Sequence, residues 1–173
     1  MIIGMSVATF TTVHVIISLI GIASGLVALA AMLGGRAPAG WNALFLATTV
    51  LTSATGFLFP STGFTPAQGV GILSLVLLAI ALFAFYAGHL AGAWRWIYVV
   101  TAVPALYFNC FVAVVQSFQK IPALQALAPT QSELPFKVAQ LVVLAFFVVA
   151  TIVAIRTFHP EPRAGATVKA SVS

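Results

Sequence analysis

Long apolar runs, each closed by a short polar or helix-breaking cluster, fill the chain from residue 8 to residue 158. A bilayer core about 30 Å thick takes about 20 apolar residues per helical crossing. Five runs answer to that length. The first covers 8–33 and is closed by Gly34, Gly35, Arg36 and Pro38. The second covers 41–59 and ends at Pro60, and the fifth covers 135–158 and ends at His159 and Pro160. Between them, 67–91 and 94–118 form one apolar stretch of about fifty residues, too long for a single crossing. Gly92 and the pair Trp94-Arg95 break it, which predicts a very tight turn there. The runs must be helical, because an open sheet edge leaves backbone groups unpaired in lipid. The pattern therefore predicts an all-α integral membrane bundle of five transmembrane helices. It forms a single domain over 1–159, followed by a polar cytoplasmic tail over 160–173.

Polar positions inside these runs carry the functional information, because a polar group in lipid is costly unless it has a use. In the first run Thr11, His14, Ser18, Gly21, Gly25 and Ala28 recur at helical spacing and share one face. His14 therefore points into the protein. The second run carries Thr48, Thr49, Thr52, Ser53 and Thr55, hydroxyls that can bond back to their own helix. The fourth carries Thr101, Asn109 and Gln116, with Pro104 as a candidate kink. The fifth begins with Lys137 and Gln140. By depth, His14, Ser18, Ser53, Thr55, Asn109, Gln116 and Gln140 gather in one half of the bundle. They form a candidate ligand-binding pocket roofed by the loop 120–134, with His14 also the candidate cofactor contact. The competing reading is a set of interhelical hydrogen bonds.

The same loop carries apolar residues at 121, 124, 127 and 128, which predict a short helix. Thr130 or Ser132 is expected to cap the last span, with Pro135 in its first turn. Glu133 and Lys137 are spaced for an i,i+4 ion pair. Gly21/Gly25 and Gly88/Gly92 are GxxxG pairs that let helix backbones approach closely. They are candidate faces for a homo-oligomer or a larger membrane complex.

Composition agrees with this picture. Of 173 residues, 62% are hydrophobic and 5% are charged, with mean hydropathy +1.16. A soluble domain carries about 25% charged residues. The net charge of +5 comes from basic residues scattered singly at the ends of apolar runs, which sets orientation and gives no nucleic-acid surface. With the C-terminus inside, Arg36, Arg95, Arg156, Arg163 and Lys169 lie on the inner side and Lys120 and Lys137 on the outer. The N-terminus is then outside, in the inner membrane of a bacterium. Ala28-Leu29-Ala30 has the form of a signal cleavage site, but no basic segment precedes the first run, which reads as a retained span.

The chemical inventory is poor. No acidic residue lies within a span, which removes paired carboxylates. Three His at different depths and one Cys, Cys110, do not build a zinc site. His14 with its following glycines, Thr55-Gly56-Phe57 and His89 give the chain a faint likeness to small multi-pass membrane proteins of the cytochrome b type. The chain departs from that type at the missing histidine partners. His14 and His89 fall at opposite depths, so ligation of one haem by both is not expected.

Three readings remain. The favoured one is a non-catalytic accessory or assembly subunit. The alternative is a membrane binder of a quinone, lipid or haem in the pocket near His14. A small-solute transporter or channel is the third, and needs a polar path of which only Ser74 and the Thr101 region are visible.

Overall fold

The computed structural model describes residues 1–160. All regular structure among them is helical, apart from one isolated bridge between Ile2 and Met5. Six α-helices follow in order: α1 (Val7–Leu33), α2 (Ala39–Gly56), α3 (Pro66–Leu82), α4 (Ala93–Lys120), α5 (Pro122–Leu127) and α6 (Leu134–Thr157). The polar tail expected over 160–173 lies, apart from Pro160, outside the described residues.

Local chemistry fixes the helix ends. Ser6 caps α1 by accepting from the Thr9 amide at 3.1 Å. The helix stops at Gly34 and Gly35, where Gly35 takes a positive φ of 73° that other residues adopt at a cost. Thr65 and Gln68 form a reciprocal capping box at the start of α3, with Pro66 in its first turn.

The long apolar stretch breaks where two features coincide. After α3 the chain widens into a π-helical turn over Phe83–Ala87, closed by the Gly88 amide on the Phe83 carbonyl at 2.8 Å. His89, Leu90 and Gly92 then all take positive φ. The break thus opens at Gly88, earlier in the chain than the expected Gly92. The reason lies at Gly88, where a Cβ would run into the Trp94 ring folded back from the start of α4. Trp94 also stacks on Phe83 at 4.9 Å, so the turn is held shut by its own aromatics.

Four helices are long and apolar enough to cross a membrane: α1, α3 with its π-helical turn, α4 and α6. The protein is therefore a helical membrane protein. The second expected span forms α2, which is 18 residues long and ends at Gly56, before the expected boundary at residue 59. Its threonines and Asn42 keep it out of that set, and Asn42, Thr48, Thr49 and Ser53 are buried within the bundle.

Helix α4 is central and packs against α1, α2, α3 and α6. It continues through Pro104 from Ala93 to Lys120. The core gathers at the end of the bundle that carries Arg36, where Met32, Phe45, Phe85, Tyr98, Val103 and Phe158 are fully enclosed. Gly25 makes the tightest approach within it. A Cβ there would lie 2.5 Å from Leu106 Cδ1 and 2.8 Å from Phe45 Cδ2. Gly21 faces Thr48, Thr49 and Asn109 in the same way, so the close approach these glycines allow is made within the chain.

The loop before α6 differs from expectation in its polar bonds. Thr130 and Ser132 do not cap α6. Glu133 stands at the N-cap, and its carboxylate accepts from the Thr130 amide and hydroxyl and from the Ser132 amide. Those three donors occupy the carboxylate in place of the expected Lys137 partner. Gln131 pins the loop to α4 by donating to the Val115 carbonyl at 2.9 Å.

Candidate functional site

The polar face of α1 changes character along its length. Gly21, Ser24, Gly25 and Ala28 are buried, whereas Thr11, His14 and Ser18 are half-buried. At the Gly25 level α1 touches α2 and α4 with no space to spare. Toward its N-terminus it stands away from α4, and a cavity of about 580 Å³ opens between them. Val15, Leu19, Ile22, Val112 and Ala113 form its apolar walls, with Thr52 and Phe59 supplied from α2 and the segment after it. Thr11, His14, Ser18, Asn109, Gln116, Ser117 and Lys120 supply its polar lining.

His14 is held in a fixed orientation. Its Nδ1 lies 2.8 Å from Thr55 Oγ1. Its ring also meets the Phe59 ring edge-on, with centroids 5.1 Å apart and planes at 85°. Phe59 in turn packs on buried Phe10, so the residue that follows α2 is folded back as a wall behind the histidine. Aromatic pairs favour such edge-to-face contact.

The hydroxyls beside His14 are spent on their own helices. Thr11 donates to the Val7 carbonyl at 2.8 Å, Ser18 to the His14 carbonyl at 2.7 Å, and Ser117 to the Ala113 carbonyl at 2.8 Å. Other lining groups lack partners among the described residues. Thr52 Oγ1 is fully buried and unbonded. His14 Nε2, the Gln116 amide and the Lys120 ammonium make no hydrogen bond there, and none of them is sealed from its surroundings.

Four of the residues expected to form a pocket do line this one cavity: His14, Ser18, Asn109 and Gln116. Thr55 stands behind it as the bond partner of His14. Ser53 is buried and does not line the cavity. Gln140 bridges α6 to α4 by donating to the Phe111 carbonyl at 3.2 Å. It sits at the expected depth but on the side of α4 that faces α6. Depth was readable from position in the chain, whereas azimuth around α4 depends on which helix packs where. Asn109 also donates across to Thr49 at 3.4 Å.

The sequence reading missed Thr11, Thr52, Phe59, Ser117 and Lys120 as lining groups. A signal for Lys120 was present: Asn109, Val112, Ala113, Gln116 and Lys120 follow one another at helical spacing on α4. Assigning Lys120 to the loop hid it.

A larger hollow of about 880 Å³ lies at the opposite end, ringed by Ala30, Ala31, Arg36, Leu90, His159 and Pro160. Its polar side chains, Arg36 and His159, are exposed. His89 lies at that end as well, since α3 runs away from the His14 end, so the two histidines face opposite ends of the bundle. Among the described residues no three His, Cys, Asp or Glu side chains gather as a metal site. Compared with family models, with curated proteins and with solved structures, the chain matches none of them.

Proposed function

We propose that the protein is a non-catalytic membrane protein that binds a small amphiphile, of the quinone or lipid class, in the cavity beside His14. The observation that carries this reading is the cavity itself, about 580 Å³ between α1 and α4, with polar side chains of four kinds on apolar walls and the wholly buried, unbonded Thr52 Oγ1 in its lining. A buried hydroxyl left without a partner costs about 1–3 kcal/mol, and Thr52 Oγ1 is such a group. Helix bridges made only for stability pair their members with each other. The bond of His14 to Thr55 does this and favours an accessory or assembly role; Gln140 donates to the Phe111 carbonyl, while its Oε1, like Arg95 Nε, is buried without a partner away from the cavity. Thr52, Gln116, Lys120 and His14 Nε2 are not paired in this way.

Below the cavity, Leu29, Phe45, Leu46 and Leu106 pack as an apolar layer, which favours a closed site over a path for transport. A haem would find one axial nitrogen here, because His89 lies at the other end. Burial of the polar residues of α2 supports counting it as a fifth crossing. At about 1.5 Å per residue, its 18 residues cover about 27 Å, close to a bilayer core. The charge balance then supports an outer N-terminus, an inner C-terminus and a bacterial inner membrane.

The test is to purify the protein from its native membrane and identify by mass spectrometry what is extracted with it. His14→Ala should lose the molecule, and between ligand-free proteins it should cost no more than its one bond to Thr55, about 0.5–1.5 kcal/mol. Gln140→Ala, outside the cavity, should lower the melting temperature and keep the molecule. Retention by His14→Ala together with a lowered melting temperature assigns His14 to bridging and defeats the reading.

A further inference from the structure

The proton inventory around His14 decides what kind of head group the cavity takes. Thr55 has one hydroxyl proton. Its Oγ1 lies 2.6 Å from the Leu51 carbonyl and 3.3 Å from the Thr52 carbonyl, and a carbonyl oxygen only accepts. Two oxygens at 2.6 Å repel unless a proton lies between them, so the Thr55 proton is committed to Leu51. The 2.8 Å contact to His14 Nδ1 then requires Nδ1 to donate. A neutral imidazole carries one proton, so His14 Nε2 holds a bare lone pair.

The neighbouring hydroxyls reinforce this. Thr11 and Ser18 flank His14 on its face, and their protons are likewise committed to the Val7 and His14 carbonyls. Thr55, Thr11 and Ser18 therefore offer no free donor beside the His14 Nε2 lone pair, and among the lining hydroxyls only Thr52 keeps an uncommitted proton. Donors gather farther along α4, where the Gln116 amide and the Lys120 ammonium line the same cavity.

We propose that the site takes a head group that donates an O–H to His14 Nε2, a quinol, phenol or alcohol, in preference to a quinone carbonyl. The inference rests on the binding function proposed above and narrows its ligand class. A carbonyl oxygen placed against Nε2 would set lone pair against lone pair, whereas a hydroxyl completes the chain from ligand through His14 and Thr55 to Leu51. The acceptor or negative end of the same ligand lies toward Gln116 and Lys120.

Two measurements test it on the full chain in detergent. Nitrogen NMR of ring-labelled histidine should report His14 protonated at Nδ1, with that preference lost in Thr55→Val. Titration with a benzoquinol bearing a ten-carbon tail and with the matching benzoquinone should show the quinol bound about tenfold tighter, the difference expected when one hydrogen bond is replaced by an unpaired acceptor. His14→Phe should bring the two to parity. An Nε2-protonated His14, or a quinone bound as tightly as the quinol in a His14-dependent way, overturns the inference and leaves the site standing. If neither compound binds, or both bind His14→Phe as they bind wild type, the proposed binding function itself fails and the inference fails with it.

Discussion

The Tyr98 hydroxyl donates to Asn42 Oδ1 at 2.5 Å, and both side chains are wholly enclosed between α4 and α2. Asn42 also donates its amide to the Pro38 carbonyl at 2.8 Å. An asparagine at the start of α2 is thereby turned inward and satisfied by a residue 56 positions away. This bond ties α2 to the central helix. Tyr98→Phe should cost about 1–3 kcal/mol, because it leaves a buried acceptor without that donor. Thermal melting in detergent reads the loss. The double variant Asn42→Leu with Tyr98→Phe should lose less than the two single losses added together, since partners in one bond are coupled.

Gly25 allows the bundle to close below the cavity. Gly25→Ala places a methyl 2.5 Å from Leu106 and 2.8 Å from Phe45 and should destabilise by about 1–3 kcal/mol, the usual range for overpacking. Gly25→Leu should fold poorly or not at all. Gly21→Ala should be milder, because its nearest neighbour, Thr48 Oγ1, lies at 3.2 Å. Equal melting temperatures for all three variants and wild type would place this face against lipid.

Thr52 separates stability from binding. Thr52→Val keeps the shape and removes an unpartnered buried hydroxyl. Without ligand it should melt at or above the wild-type temperature, since an unsatisfied polar group replaced by an apolar isostere is neutral or stabilising. The amount of co-purified molecule should fall. A lowered melting temperature with unchanged ligand content refutes a ligand role for this hydroxyl.

Glu133 makes the loop before α6 sensitive to acid. Hydrogen bonds from Thr130, chiefly its hydroxyl, and from Ser132 hold the carboxyl below the ordinary glutamate range. A depressed value in the folded state means the carboxylate stabilises the loop above the unfolded value. That contribution is lost as pH falls through the folded value. The protection of the Thr130 and Ser132 amides from hydrogen exchange, taken relative to the intrinsic rate at each pH, should fall over that acid window. Glu133→Gln should show the lower protection already at neutral pH, and that protection should not change through the acid window.

Orientation is open to a direct measurement. A reporter fused after Ser173 should read as cytoplasmic, and one placed in the loop 128–132 as periplasmic. A periplasmic signal from the Ser173 fusion overturns the orientation, and the same side for both fusions overturns α6 as a crossing.

The sequence by itself determined the helices, because each is written in local terms. Apolar runs long enough for a bilayer force helix, and Gly34-Gly35 and His159-Pro160 mark where α1 and α6 stop, whereas α2 already ends at Gly56, ahead of Pro60. It also determined that His14 faces inward, since the 3.6-residue period puts Thr11, His14, Ser18, Gly21 and Gly25 on one line. The break between α3 and α4 was legible only to within a few residues, because it depends on Trp94 folding back onto Gly88. Only the tertiary structure decided which polar groups meet. Gln140 and His14 share a depth, yet α6 packs on one side of α4 and α1 on another, so Gln140 finds the Phe111 carbonyl and His14 finds Thr55. Lys120 joins the cavity because α1 stands off from α4 at that end, a gap created by tight packing at Gly25. Helical period fixes the direction of a side chain relative to its own axis. The direction relative to a partner helix comes from the packing of helices far apart in the chain, which no local pattern encodes.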